Sequence, residues 1–300
     1  MSGEYPISTR LPPAPAQRPR VLVTGATGYI ASQLLPAFRQ RYELVLLDVR
    51  TTDSQGQPVA GAVLADLLGD GWEAARPHFR GCDAVVHLAY FRPPGMSVTG
   101  ANKSYLDERP NVDLAEHVYR LALDEGVARV VVASSNHAAD WWEPLIHARR
   151  IEMLGPGDLP RSDNYYGWAK IAYEALGWTY ASGAFGRRLG MVQVRIGAPR
   201  PIGPDPDVVR YKRDLGAYLS PRDLQQLVVR AVETPSIDDE WGVPFQIVYG
   251  VSNNTRAFWS LANARRVLGY DPEDDSELRF ADDIRRLLLE PERGGRLGND

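Results

Sequence analysis

Residues 20–40 constrain this chain more than any other segment. Arg20–Thr24 is a short β-rich run, TGATGYIA follows without a break, and Ile30–Gln40 has the apolar spacing of an amphipathic helix. Gly25, Gly28 and Ala31 therefore stand at GxxGxxA spacing in a strand–turn–helix junction. Glycines there permit a tight turn and close approach of a pyrophosphate. The free amides and positive dipole end of the following helix favour its negative charge. A glycine triplet says little by itself in a chain with 27 glycines, so the information lies in its position between a strand and a helix.

The alternation continues. Strands are predicted at Glu43–Asp48, Ala62–Leu64, Asp83–Leu88, Arg129–Ala133 and Met191–Ile196, and helices at Trp72–Phe79, Val112–Glu125 and Tyr165–Phe185. Strand alternating with helix predicts an α/β fold, a doubly wound parallel sheet covered on both faces, with a small C-terminal substrate cap. Residues 1–18, rich in proline, are expected to be a disordered leader, and residues 19–197 the dinucleotide-binding domain. After Gly197, Pro199, Pro201, Pro204 and Pro206 predict a long loop, followed by helices at Pro221–Glu233 and Ala257–Leu268. Residues 198–290 are read mainly as the cap, formed mostly after the sheet is complete but returning some elements to the core. Residues 291–300 are expected to fray. The acidic stretch Asp271–Glu277 reads as a solvated turn.

Three classes of function are disfavoured by composition. A net charge of -4 offers no electrostatic surplus for gripping a nucleic acid backbone. The longest apolar runs are strand-sized, which excludes a membrane-spanning helix. His78, His87, His117, His137 and His147 lack paired-ligand spacing, so no catalytic metal is expected. The single cysteine, Cys82, rules out an internal disulfide, fits a reducing, cytoplasmic setting and reads as a core residue.

The cofactor side of the cleft follows from strand ends. Gly25, Thr27, Gly28, Tyr29 and Ile30 form the phosphate turn. Asp48, at the tip of the second strand, can accept both hydroxyls of an adenosine ribose and repel a 2′-phosphate, which predicts NAD over NADP, although Arg50 stands nearby. Asp66 with Leu67 is placed at the adenine edge, and Leu88 with Ala89 along the cofactor cleft.

Tyr166 and Lys170, in YGWAK, are four residues apart on a predicted helix and so project from one face. Fourteen tyrosines and three lysines in 300 residues give about 0.14 such pairs by chance. Upstream, ASSNH presents Ser134 and Ser135 at the C-terminal edge of the sheet, where open α/β folds bind ligands. An ammonium and a positively charged nicotinamide both favour phenolate, so the Tyr166 pKa is expected to fall toward working pH. Tyr166 would be the base for a carbinol proton, Ser135 would hydrogen-bond the reacting oxygen, and Lys170 would also hold the nicotinamide ribose. The bland alternative is an exposed Tyr–Lys pair beside a serine turn.

Through TGATGYIA, Asp48, ASSNH and YGWAK, the chain resembles the extended short-chain dehydrogenase/reductase family, the NAD-dependent epimerase/dehydratases, over most of its length. The resemblance implies a Rossmann domain, NAD, a Ser135–Tyr166–Lys170 centre, with Ser135 selected over Ser134 because it falls second in the strand-end motif, and a homodimer through the helices at Val112–Glu125 and Tyr165–Phe185. Within the family it is most similar to the uronate dehydrogenase group, which oxidises C1 of a hexuronic acid. On that likeness Asn136 and His137 become sugar contacts, and Arg213 lines up with the arginine holding the substrate carboxylate, with an ordinary surface arginine as the other reading. VRIG at 194–197 and YGVSNN at 249–254 also look similar. Two positions depart from the group: Ala198 and Arg92 stand where it has serines. The segments 92–110 and 141–161 also look longer. Arg92 could meet a phosphate or second acid, and Trp141 and Trp142 could stack on a sugar or fill the cap.

Three readings remain: a dehydrogenase acting on a sugar or sugar acid and releasing NADH, a nucleotide-sugar epimerase or dehydratase that keeps its NAD, and a cofactor-binding regulator without chemistry.

Overall fold

The structure, a computed structural model, describes residues 5–96, 104–205 and 207–289. Seven parallel strands form one sheet: β1 Arg20–Thr24, β2 Glu43–Asp48, β3 Ala62–Leu64, β4 Ala84–His87, β5 Arg129–Ser135, β6 Gly190–Ile196 and β7 Phe245–Gly250. Their order is β3-β2-β1-β4-β5-β6-β7, so the strand order reverses between β1 and β4, and every strand's C-terminal end lies along one edge.

Helices cover both faces. On one, α1 (Tyr29–Arg41) and α7 (Pro221–Glu233) bury Leu34, Phe38, Leu224 and Leu227 against Val21, Val192 and Val248. On the other, α3 (Tyr105–Asp124) and α5 (Tyr165–Ala181) bury Val118, Tyr119, Tyr173 and Tyr180 against Leu22, Val85 and Val130. Strands buried on both sides read as near-continuous apolar runs, as RVLVT and RVVVASS do. The short α2 (Arg76–Phe79) follows a 3₁₀ turn, α4 (Glu143–His147) follows another at Asn136–Trp142, and α6 (Val208–Ala217) lies beyond β6.

Several expectations need correction. The leader is ordered from residue 5: Ser8 is buried, its amide donates to Gln225 Oε1 at 3.1 Å, and Arg41 donates to the carbonyls of Pro12 and Pro13 at 3.0 Å. Prolines that block regular structure also reduce the entropy lost when the segment is fixed. The acidic stretch is an anchor, with Glu273 bonded to Ser8, Thr9 and Arg222. The sheet is not complete at Gly197, since β7 is its edge and α7 covers its face. What remains as a cap is a small separate cluster of Ile202, Tyr211, Leu215, Tyr218 and Ile284. Helix α3 begins seven residues before Val112 despite Pro110, because Ser104 and Asp107 form a reciprocal cap. The helix predicted from Ala257 is confined to the end of that span, as a wide turn at Ala264–Leu268, while Trp259 bridges Leu154. The tail at 291–300 and residues 1–4 lie outside the described residues.

Candidate active site

The phosphate turn closes as its sequence requires. Gly25 has φ +69°, and a Cβ there would lie 2.7 Å from the Ala89 amide, so β1's turn and the end of β4 touch backbone to backbone. Gly28 caps α1 with no side-chain hydrogen bond, and the first turn carries no acidic residue. The donors at this end therefore fit a pyrophosphate. Tyr29 is exposed beside that turn, and Ile30 is half-buried on α1. Asp48 Oδ2 accepts from the Thr27 amide at 2.9 Å and hydroxyl at 2.8 Å, which aims the carboxylate over the turn, and Arg50 Nε donates to the same Thr27 hydroxyl at 3.1 Å.

Beyond β3, Asp66 borders a cavity of about 350 Å³ with Leu64, Leu68 and His78, and its Oδ1 accepts from the Leu68 amide. Leu67 is buried beneath, with its carbonyl 2.7 Å from His117 Nδ1. Leu88 and Ala89 are half-buried against the Gly25 turn. A second cavity of about 350 Å³ lies between Tyr5, Tyr29, Arg200, Tyr218 and Arg279. Neither cavity is lined by Ser135, Tyr166 or Lys170.

Two strands away, the polar trio converges. Ser135 ends β5 and is hydrogen-bonded to Tyr166, which stands in the first turn of α5. Lys170 lies one turn on. Its ammonium donates to the Ala133 carbonyl at 3.0 Å and sits 5.4, 5.2 and 4.5 Å from the Tyr166, Tyr90 and Tyr173 ring centres. The expected lowering of the phenol is not found in the protein's own groups. Burial pushes Tyr166 up to about 12; the Ser135 hydrogen bond opposes that rise and the Glu108 carboxylate adds to it. Desolvation penalises phenolate more than these neighbours stabilise it.

Ser134, the serine set aside, faces a different network: it donates to Glu174 Oε1 at 2.8 Å, and Glu174 forms a bidentate pair with fully buried Arg195 at 2.8 and 2.7 Å. Asn136 is buried, and its Nδ2 has no hydrogen-bond partner among the described residues, a donor left over beside Ser135. His137 is half-buried. Its Nδ1 lies 2.9 Å from Asp140, whose Oδ2 also accepts from Asn164, the N-cap of α5. Arg92 is exposed and close enough to Tyr90 to stabilise its phenolate. Arg213 does not present free donors, because Glu143 holds its Nε and Nη2 at 3.0 and 3.1 Å and Asp214 its Nη1 at 3.2 Å. A substrate carboxylate at Arg213 would have to displace one of them. Trp142 packs on the core and donates to the Leu159 carbonyl, whereas Trp141 is exposed; Arg161 stacks on both rings.

Sequence reading missed three residues here. Tyr90 donates to buried Glu108 at 2.6 Å and packs edge-on to Tyr166 at 5.7 Å. Asn111 grips both backbone groups of Phe91, at 2.7 and 2.9 Å. The polar residues of ERPNVD, inside a helix that the proline obscures, were the available signal.

A model of the "NAD dependent epimerase/dehydratase family" matches residues 21–197. The chain is 33% identical over 269 residues to the NAD-dependent glucose-6-phosphate dehydrogenase of Haloferax volcanii, covering 85% of this chain and 94% of that one. It is 32% identical to the uronate dehydrogenase of Pseudomonas putida, covering 86% and 85%. Among solved structures, a mutant uronate dehydrogenase from Agrobacterium tumefaciens complexed with NAD aligns with a TM-score of 0.69 at 27% identity, over 93% of each chain.

Proposed function

The chain belongs to the NAD dependent epimerase/dehydratase family, and from that premise we propose that it is an NAD-dependent sugar dehydrogenase oxidising a carbinol, C1 of an aldose or uronate, through Ser135, Tyr166 and Lys170. NAD supplies the hydride acceptor and a positively charged ring. Gly25, Thr27, Gly28, Tyr29 and Ile30 would hold its pyrophosphate, Asp48 its adenosine ribose, and Asp66, Leu67, Leu88 and Ala89 the walls of its cleft. The fit rests on the uncapped α1 terminus and on the Thr27–Asp48 pairing.

Ser135 donates a hydrogen bond to the substrate hydroxyl and fixes it beside the Tyr166 oxygen. Tyr166 then takes the hydroxyl proton as the carbon–hydrogen bond breaks. Lys170, anchored on Ala133, supplies positive charge that opposes the burial penalty on the phenolate. Asn136 and His137 would contact neighbouring sugar hydroxyls. The reading is supported by one arrangement: Ser135 at the end of β5, Tyr166 in the first turn of α5 and Lys170 one turn on lie together at the C-terminal edge of the sheet. Two copies pairing through α3 and α5, in a reducing cytoplasmic setting that suits a lone buried Cys82, complete the proposal.

The test is net NADH formation, followed by absorbance, on a panel of aldoses, uronates and sugar phosphates. Replacing Tyr166 by Phe should lower kcat by about 10²-fold or more. Tightly retained NAD with no net NADH would instead favour the epimerase reading, and sedimentation velocity tests the dimer.

A further inference from the structure

The Arg213–Glu143 pair joins two elements that meet over the reactive edge of the sheet. Glu143 opens α4, eight residues after Ser135 and directly after the turn carrying Asn136 and His137. Arg213 lies on α6, which is held to the end of β6 by Ala198, its amide donating to the Ala217 carbonyl at 2.7 Å. Ile196, two residues before Ala198, is the register partner of Ser135. The ion pair thus spans the C-terminal ends of β5 and β6.

Its geometry is that of a filled carboxylate site. Two parallel bonds of 3.0 and 3.1 Å join the guanidinium fork to Glu143, the two side chains are only 14% and 13% exposed, and the guanidinium rests 5.6 Å from the buried Trp259 ring. Asp214 takes Nη1 and is itself shared with Arg200 at 2.9 Å. Two guanidinium groups therefore face two carboxylates, and the cluster is balanced without a ligand.

A second carboxylate or a phosphate arriving here adds uncompensated negative charge. To take the Nε–Nη2 fork of Arg213 it must evict Glu143, which leaves that carboxylate unpaired and largely buried. A sugar hydroxyl carries no such penalty. We propose that Glu143 is a specificity-determining residue that occupies Arg213 and so selects neutral aldoses over sugars bearing a carboxylate or phosphate. The inference rests on the dehydrogenase reading of this cleft and names its substrate class.

The experiment compares kcat/KM for NADH formation on D-glucose, D-glucuronate and D-glucose 6-phosphate, and on the matching galactose set. The wild-type chain should favour the neutral sugar by about tenfold or more. Glu143→Gln, which keeps size but releases one positive charge, should move the uronate-to-aldose ratio toward the acid by about tenfold or more, whereas Glu143→Asp should retain the neutral preference. The ratio is taken within one preparation, so incomplete folding of a variant cancels. A wild-type preference for either anion, or an unchanged ratio in Glu143→Gln, overturns the selectivity while leaving the oxidation intact. Absence of NADH from every sugar in wild type sinks the dehydrogenase reading and this inference with it.

Discussion

Burial and a serine hydrogen bond pull the Tyr166 phenol in opposite directions, with burial the larger influence. The sign of a Ser135→Ala substitution follows. Losing a bond that favours phenolate raises the pKa, so less base exists at any given pH and the rising limb of the kcat–pH profile moves to higher pH. The rate at the plateau should also fall by about 10²–10³-fold, because the reacting oxygen loses a donor. A profile that keeps its position would show that Ser135 does not touch the phenol in the working enzyme. Asp48→Ala should move the kcat/KM ratio of NADP to NAD upward by about tenfold or more, because the carboxylate that meets a 2′-phosphate is gone and Arg50 remains. At this scale the turn glycines, Asp48, Tyr166 and Lys170 were read from local spacing in strand–helix units, whereas Ser135 was preferred to Ser134 only on the family resemblance. Arg213 was legible as an arginine in the cap but not as a paired one, since its partner lies 70 residues away in sequence.

Elements were legible where one face repeats and obscure where a long-range partner overrides a local signal. Pro110 argued against the first two turns of α3, yet the Ser104–Asp107 cap and the buried Glu108 and Asn111 hold them. β7 went unpredicted although Phe245, Ile247, Val248 and Tyr249 favour a strand, because it follows a helix and a loop rather than a regular alternation, and only the ladder with β6 seats it at the sheet edge. Helix α5 carries the tightest constraint. A Cβ on Gly167 would lie 2.2 Å from the His137 carbonyl and 2.1 Å from Ser162 Oγ, so the turn holding Tyr166 packs directly on the backbone that follows Ser135. Gly167→Ala should therefore push α5 off that backbone, lower kcat by about tenfold or more, and cost roughly 1–3 kcal/mol in denaturant unfolding. Beneath it, the Arg195–Glu174 pair ties α5 to β6 and, through Ser134 and Tyr249, to β5 and β7. Arg195→Met strands a buried carboxylate and should cost about 3–5 kcal/mol, whereas an unchanged melting temperature would mean that Glu174 finds another partner.

Across the whole molecule, the proline-rich leader and the acidic stretch are one device, and charge decides how it responds to pH. Asp223 begins α7 with no exposure and accepts from the Glu273 and Asp274 amides at 2.5 and 3.1 Å, while Glu273 in turn holds Ser8 and Thr9. Burial pushes the Asp223 carboxyl up to about 6 from an ordinary 3.8, so the folded chain binds its proton more tightly than the unfolded chain does. The resulting stabilisation is complete below about pH 4 and is lost as pH rises through about 6. Glu273 and Asp274 are shifted the other way, held below their usual range against burial, by Ser8 and Thr9 in one case and Arg222 in the other. Their contributions are present above the ordinary carboxylate pKa and fade only in stronger acid, outside that window. Asp223→Asn removes one titration and leaves the others. Relative to wild type, its unfolding free energy should therefore improve between about pH 5 and pH 7, by about 1 kcal/mol. Calorimetric melts of both proteins across that range give the answer. A difference that stays flat, or that grows in wild type's favour as pH rises, would mean that Asp223 is already ionised in the fold and that the leader is seated on a charged rather than a protonated carboxyl.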